Sequence, residues 1–517
     1  MQNKYRSPRN ALLFLLALPA FADTSLRLER FKPHDFPFSA PVEGNPFDVE
    51  LWGDFAGPGG ARLRVPGFYD GNGVWKIRFS PIVTGEWTLR TSSPLAALNG
   101  KSAAFTAAAN ANPAVHGRLR IDPEHPYHFI WEDGARFFLM GYEADWLGLA
   151  DMKDPQRKLM RTLIDQIHAR GFNYVLVNVY AHDTRWCPGR VNEWDHGPPD
   201  LYAWEGTNDK PDHSRLNTRF FQVYDAMMWA LYEKGMIAHM MVKVYNKAVN
   251  WPPAGSRDEG RFFRYVAARY QAFPNLVWDY SKESFKEPDN ALQKNLIDLV
   301  RREDAYRLLV TAHDDDEYEW DPRLNANLDF RIDQQHSHWA EMIAFDRAHR
   351  KRPVVNAEFS YELGVEPLPT HTNRNQVDWK EMLRRAWWIH MAGGYTAYYY
   401  NNTAWDIVKP EPEPPGHPRW QLLKEVITSL PYWRMNPAPE LAVGGPGLAE
   451  PGQHYLYYVE GPDVVLNLTG LSGPARAEWI NTWSGDRVPA GEVKPGVQRL
   501  KRPSAFAAAP GVIVVRR

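Results

Sequence analysis

Residues 352–362 read Arg352-Pro-Val-Val-Asn-Ala-Glu-Phe-Ser-Tyr-Glu362. Val354 to Ala357 is a short, mainly apolar run, the pattern of a strand covered on both faces in a parallel sheet. It ends on a carboxylate, Glu358. Upstream, Asn275-Leu-Val-Trp-Asp-Tyr280 reads as another such strand and continues through Ser281-Lys282 to a second carboxylate, Glu283. Acids at the C-terminal ends of buried parallel strands mark the mouth of a (β/α)8 barrel.

Working outward, residues 117–433 alternate strand and helix patterns, which predicts α/β architecture and a (β/α)8 TIM barrel. The predicted strands are Phe137 to Gly141, Asn173 to Tyr180, Met236 to Val244, 275–280, 307–312, Leu328 to Asp333, Val354 to Ala357 and Tyr395 to Tyr400. Predicted helices cover 220–234, 260–271, 291–302 and 377–391. An earlier helix has Asp154 as N-cap, Pro155 at its first position, Leu159, Leu163 and Ile167 on one face, and Gly171 past its end. No clear helical pattern separates the fifth and sixth strands.

Residues 24–113 and 436–517 read as β-sandwiches flanking the barrel. Trp75, Ile77 and Phe79 alternate with Lys76 and Arg78, and Asp70-Gly71-Asn72-Gly73 is hairpin-turn chemistry. The C-terminal strands 454–459, 464–468, 477–480 and 512–515 lie between Gly/Pro turns. Pro410 to Pro415 falls on the loop after the eighth strand, where it would form a rim of the cleft.

The 517 residues, 44% hydrophobic and 24% charged, fit a globular protein of several domains. Lys4, Arg6 and Arg9, the apolar run Ala11 to Leu18, and Ala20-Phe21-Ala22 match a signal peptide over 1–22, which predicts a secreted or periplasmic protein. Its removal takes three positive charges and no acids, moving the formal net charge from -2 to -5 and arguing against nucleic acid as a partner. No later apolar run is long enough for a membrane span. A single cysteine, Cys187, excludes an intramolecular disulfide and a cysteine-based zinc cluster. The acidic run His313 to Glu319 lacks EF-hand spacing. No phosphate loop, His-Glu-x-x-His or Gly-x-Ser-x-Gly motif occurs, so neither a metal nor a cofactor is expected. The oligomeric state is not written in the sequence.

Glu283 and Glu358 lead as a catalytic pair, because two carboxylates at a barrel mouth suit cleavage of a glycosidic bond. In the retaining form of that chemistry they stand ~5–5.5 Å apart. Glu362 lies further past the strand end and Asp279 inside its strand, so each ranks behind its neighbour. Other strand ends are polar or aromatic: Glu143, Asp145 and Trp146; His182 and Asp183; Lys243, Tyr245, Asn246 and Lys247; His313; Gln335 and His336; Tyr399, Tyr400 and Trp405. Their shared address predicts a carbohydrate-binding rim made of Asp145, Trp146, His182, Lys243, Tyr245, Lys282, His313, Gln335, His336, Tyr400 and Trp405.

These glutamates, with Tyr455-Leu-Tyr-Tyr-Val459 and Glu478-Trp-Ile-Asn-Thr-Trp-Ser-Gly485 in the C-terminal region, carry a resemblance. The chain resembles clan A glycoside hydrolases and, more narrowly, apiosidase-like barrel proteins with an N-terminal β-sandwich and a C-terminal domain often labelled collagen-binding. The resemblance implies that Glu283 is the acid/base and Glu358 the nucleophile of a retaining glycoside hydrolase acting on a polysaccharide or oligosaccharide. One departure stands out. Such enzymes usually carry Asn-Glu after strand four, the Asn bonding the sugar 2-hydroxyl; here the pair is Lys282-Glu283. A close lysine would lower the pKa of the adjacent acid. With Lys243, Lys247 and Arg331 it suggests an anionic sugar. The alternatives are a catalytically inactive carbohydrate-binding barrel and a polysaccharide lyase with a Lys or Tyr base.

Overall fold

A computed structural model describes residues 26–153, 158–185, 188–314, 327–364, 375–410 and 413–517. The expected signal peptide, Asp154 and Pro155, Cys187, the acidic run beyond Asp314, any helix between the fifth and sixth strands, and Glu411 and Pro412 lie outside the described residues.

Eight strands close a barrel: β1 Met140–Glu143, β2 Tyr174–Asn178, β3 Ile237–Val244, β4 Leu276–Lys282, β5 Val310–Asp314, β6 Arg331–Asp333, β7 Val354–Asn356 and β8 Tyr395–Tyr398. Neighbouring strands run parallel around the ring, and β8 closes it against β1. β1 to β4 are buried along their whole length, which is why their sequences show apolar runs rather than alternation. The helices that cover them include Lys158–Ala169, Thr218–Glu233, Arg257–Tyr270, Asn290–Glu303, Glu341–His349 and Trp379–Met391. Their caps follow local chemistry: the side chains of Asn217, Ser256, Asp289 and Asp378 each accept from backbone N–H groups of the first turn.

The first strand begins three residues later than its sequence pattern predicts. Arg136–Phe137 belongs instead to a small antiparallel sheet with Phe129–Trp131 and Leu119–Ile121. Phe129 packs on Phe330 and Tyr395, 5.2 and 5.7 Å between ring centroids, just before β6 and at the start of β8. This sheet therefore plugs the N-terminal end of the barrel, and its apolar residues run straight into those of β1.

Both flanking regions are all-β. The N-terminal one has a five-stranded and a three-stranded sheet, and the C-terminal one a six-stranded and a three-stranded sheet. At the hairpin turn, Gly71, Asn72 and Gly73 take φ of 96°, 52° and 72°, the left-handed conformation the turn residues imply.

Arg78 departs from the alternation around it. It faces the barrel rather than solvent and is only 1% exposed. Its guanidinium reaches Asp35 at 2.7 Å and Asp225, on helix Thr218–Glu233, at 3.0 Å. Arg269, on helix Arg257–Tyr270, meets the same Asp225 at 2.8 Å and Asp70 at 2.8 Å. Burial works against ionisation of Asp225, but the two arginines outweigh it and hold its carboxyl well below the usual range. Removing one member of such a buried network strands the others. Arg78→Ala is therefore expected to cost about 3–5 kcal/mol, read as a lowered denaturant midpoint in equilibrium unfolding.

Candidate active site

The last residues of β1 and β4, with His313 of β5, set the level of the barrel mouth. Glu143 ends β1, Lys282 ends β4, and His313 pairs directly with Lys282. Strict alternation would send Lys282 outward with Tyr280, whose hydroxyl bonds Gln293 on helix Asn290–Glu303. A bulge prevents this. The register against β5 moves from Asp279–Thr311 to Lys282–His313, three residues of advance against two. The extra residue re-aims the side chain, as bulges do beside functional sites.

Lys282 is consequently buried in the mouth, where its ammonium contacts Glu143, Asp145 Oδ1 at 2.9 Å and Glu358 Oε2 at 3.4 Å. Tyr399 donates its hydroxyl hydrogen bond to the other Asp145 oxygen, and its ring lies 5.6 Å from the ammonium. Burial opposes the charge on Lys282, yet Asp145, Glu143 and Glu358 together raise its pKa well above the usual lysine range. Asp145 is also desolvated, but Lys282 and Lys247 hold its carboxyl below the usual value. For Glu143 the balance reverses: burial dominates the pull of Lys282 and lifts its carboxyl well above the usual range. One ammonium thus faces three acids, two of them shifted in opposite directions by burial and by the lysines.

Glu358 stands two residues beyond the end of β7 and is 4% exposed. Tyr361 donates to its Oε1, and His336 lies 3.8 Å from the same oxygen. Tyr361, Tyr399, Ala404 and Trp405 form a small apolar cluster here. The Tyr361 ring is 4.6 Å from Tyr399 and 5.8 Å from Trp405, and 6.3 Å from the stacked His336. The Lys247 ammonium sits 5.0 Å over the Trp405 ring.

Glu283 follows Lys282 directly but does not share its partners. Its backbone adopts a left-handed φ of 56°, which is uncommon for a non-glycine residue and frequent at functional positions. Its carboxylate accepts from Asn246 and pairs with the part-exposed Lys286. The expectation that Lys282 acts on the adjacent acid is thereby corrected: its charge falls on Glu358, Glu143 and Asp145.

Several expected rim residues are placed elsewhere. Trp146 is buried in the core at 1% exposure, where a side chain on Gly197 would meet its ring. Lys243 forms a buried ion pair with Glu259, 2.6 Å away on helix Arg257–Tyr270, and lies 4.6 Å over the half-buried Tyr245 ring. Arg331 meets Asp333 at 2.5 Å and Asp346 at 3.5 Å. The carboxamide oxygen of Gln335 accepts from the backbone N–H groups of Ser337 and His338, closing a turn. Tyr400 is fully buried and stacks on Tyr398. His182 stacks on Tyr202 at 5.7 Å, with burial lowering its pKa. Asp279 lies inside the barrel and accepts from His239, 2.8 Å away, whose other nitrogen meets Tyr174 at 2.6 Å.

Asp145, Lys282, His313 and His336 thus come together with Glu358, joined by Trp405 through Tyr361. Tyr361 was not singled out by the sequence, because only the fold shows that the chain turns back after Glu358. Glu143, His313 and Glu358 each bring one ligand atom to within 4.8 Å of the others. The Lys282 ammonium touches two of these three residues, so a fixed positive charge already serves the carboxylates that a cation would require.

Glu362 has a different task from its rank beside Glu358. Its backbone N–H donates to Tyr399 O at 2.8 Å, and its Oε1 accepts from Gly416 N at 2.8 Å. A Cβ on Gly416 would fall 2.0 Å from Glu362 Oε2. The loop after β8 therefore closes directly on this carboxyl, tying down the segment that carries Glu358 and Tyr361.

A closed parallel barrel with carboxylates at the C-terminal ends of β4 and β7 is the architecture of glycoside hydrolases, and solved structures bear out the fold. A Bacteroides vulgatus ATCC 8482 protein classed by inference as a glycoside hydrolase aligns with TM-score 0.78 at 21% identity, over 95% of this chain and 100% of that one. A glycoside hydrolase family 5 protein of the same strain aligns with TM-score 0.60 at 18% identity, covering 78% and 93%. A further glycoside hydrolase gives 0.57 at 17%, covering 78% and 97%. Residues 124–435 match the family of Apiosidase-like catalytic domains, and the chain belongs to that family. Residues 27–94 match a domain of unknown function, DUF5060. No curated protein matches the chain. Among the described residues, no helix is long and apolar enough to cross a membrane.

Burial raises the Glu362 carboxyl to about 7 from 4.5. The unfolded chain then ionises first, so the folded state loses stability as pH climbs between those values. The loss approaches about 3 kcal/mol. Glu362→Gln should remove this slope, raising the melting temperature relative to wild type more at pH 8 than at pH 4.

Proposed function

We propose that the protein is a retaining glycoside hydrolase in which Glu358 is the nucleophile and Glu283 the acid/base. The observation that carries this reading is the pair of strand-end glutamates, one held by Tyr361 and Lys282, the other by Asn246. In the first step a Glu358 oxygen bonds to the anomeric carbon, the bond to the leaving oxygen breaks, and Glu283 protonates that oxygen. In the second, water adds to the anomeric carbon, Glu283 takes its proton, and Glu358 leaves as a carboxylate. Lys282 balances the charge on Glu358 and Tyr361 orients it before attack.

The substrate in this reading is a polysaccharide or oligosaccharide. Support for an anionic sugar is weakened, because Lys243, Lys282 and Arg331 each face carboxylates of the protein itself. The basic and apolar leader read in residues 1–22 supports export to the periplasm or beyond. One observation favours the inactive-barrel alternative: a lysine stands where the resemblance implies a neutral asparagine.

Wild type and two variants are to be screened against plant, algal and bacterial polysaccharides and aryl glycosides. Glu283→Gln should lose about 10²–10⁴-fold in turnover, and Glu358→Ala at least as much, with the fold intact by circular dichroism. Added azide should restore product formation in Glu358→Ala as a glycosyl azide of inverted anomeric configuration. Binding without release by the wild type would select the inactive barrel, and near-wild-type rates in both variants would dismiss the two assignments.

A further inference from the structure

We propose that Lys282 is a positioning residue for Glu358, and that Glu143 and Asp145 hold its ammonium in place while Glu358 carries the sugar. This rests on the nucleophile reading above.

An ammonium has three N–H donors and no acceptor. Lys282 has three carboxylate neighbours, Glu143, Asp145 and Glu358, one from each of three oxygens within 3.4 Å. Its hydrogen bonds to Glu143 and Asp145 place the ammonium 3.4 Å from Glu358 Oε2. What it does follows from where those carboxylates lie. Glu358 has one oxygen on Tyr361 and the other on Lys282, so both the rotation and the charge of the carboxylate are fixed before attack.

Formation of the glycosyl–enzyme converts Glu358 from an anion to a neutral ester. A buried cation that lost its only partner at that moment would be strongly disfavoured. Lys282 does not: Asp145 keeps it paired, and Asp145 is in turn anchored by Tyr399. The arrangement allows the Glu358 charge to come and go without moving the lysine. It gives the carboxylate at 145 a role as the standing partner of the lysine.

The groups facing Glu358 are Lys282 from β4, Tyr361 from its own segment, His336 from the loop after β6, Glu143 from β1 and His313 from β5. Burial and the nearby Lys282 both lower the His313 pKa, so it adds no positive charge. Burial raises the Glu143 pKa well above the usual carboxyl range, against the pull of Lys282. Lys282 is the strong cation in direct contact, its ammonium 3.4 Å from Glu358 Oε2.

Lys282→Met alone leaves buried acids without their cation, so the charge-matched Lys282→Met/Asp145→Asn is the principal variant, with Lys282→Arg as the conservative one. Each is compared by infrared difference spectroscopy with and without an added Glu358→Gln substitution, which isolates the Glu358 carboxylate stretching bands. Rates are recorded on the glycan the screen identifies. In the double variant the Glu358 bands should move in frequency and broaden, because the ion pair that orients the carboxylate is gone. kcat should fall ~100-fold or more with little change in KM. Lys282→Arg should recover the wild-type bands. Unchanged Glu358 bands in the double variant overturn the proposal, whatever the activity. Changed bands in a protein whose wild type releases no product from any glycan uphold the hold of Lys282 on Glu358 while overturning the hydrolase reading.

Discussion

A buried ammonium survives only where its surroundings repay the loss of water, and Lys282 depends on three carboxylates to do so. Those carboxylates come from two different elements, β1 with its following turn and the segment beyond β7. Each is held by further bonds, Asp145 by Tyr399 and Glu358 by Tyr361. The mouth is therefore tightly tied: a change of rotamer at Asp145 or Glu358 breaks both a tyrosine hydrogen bond and a contact with Lys282. That constraint converts a set of strand ends into a rigid site, and it requires the bulge in β4 that turns Lys282 inward.

The two glutamates are supported in contrasting ways. Glu358 is enclosed, with aromatic rings on one side and the lysine cluster on the other. Glu283 is held by an amide and by a lysine that reaches solvent. Both carboxylates are buried, Glu283 at 6% and Glu358 at 4% exposure, so the contrast lies in their partners rather than in access to water. Glu362, four residues from Glu358, belongs to the scaffold and is pinned by the loop that ends at Gly416.

The barrel was legible because parallel strands buried on both faces show themselves as apolar runs ending in polar residues, and β3, β4 and β7 begin within one or two residues of their sequence patterns. β1 was not, since the plug strand at Arg136–Phe137 adjoins it with equally apolar residues. Glu143 was consequently placed after a strand that it in fact ends. The address of Glu283 and Glu358 could be read from position alone. The direction of Lys282 could not, because alternation gives the wrong face when a bulge intervenes. Lys243 and Arg331 were read as support for an anionic sugar; their partners, Glu259 and Asp346, sit on helices whose placement no local pattern reveals. Arg78 misled for the same reason, a buried arginine having the same spacing as an exposed one.

Arg78 and Arg269 approach Asp225 from opposite sides of the boundary between the N-terminal sheets and the barrel. Parting the two units would break the Arg78–Asp225 and Arg269–Asp70 ion pairs and uncover buried charge on both sides. The N-terminal sandwich is thus less an appendage than a shared wall. Recombination that exchanged it for a foreign β-domain would have to carry Asp35, Asp70 and Arg78 along together, so the two parts are expected to be inherited as one unit rather than shuffled.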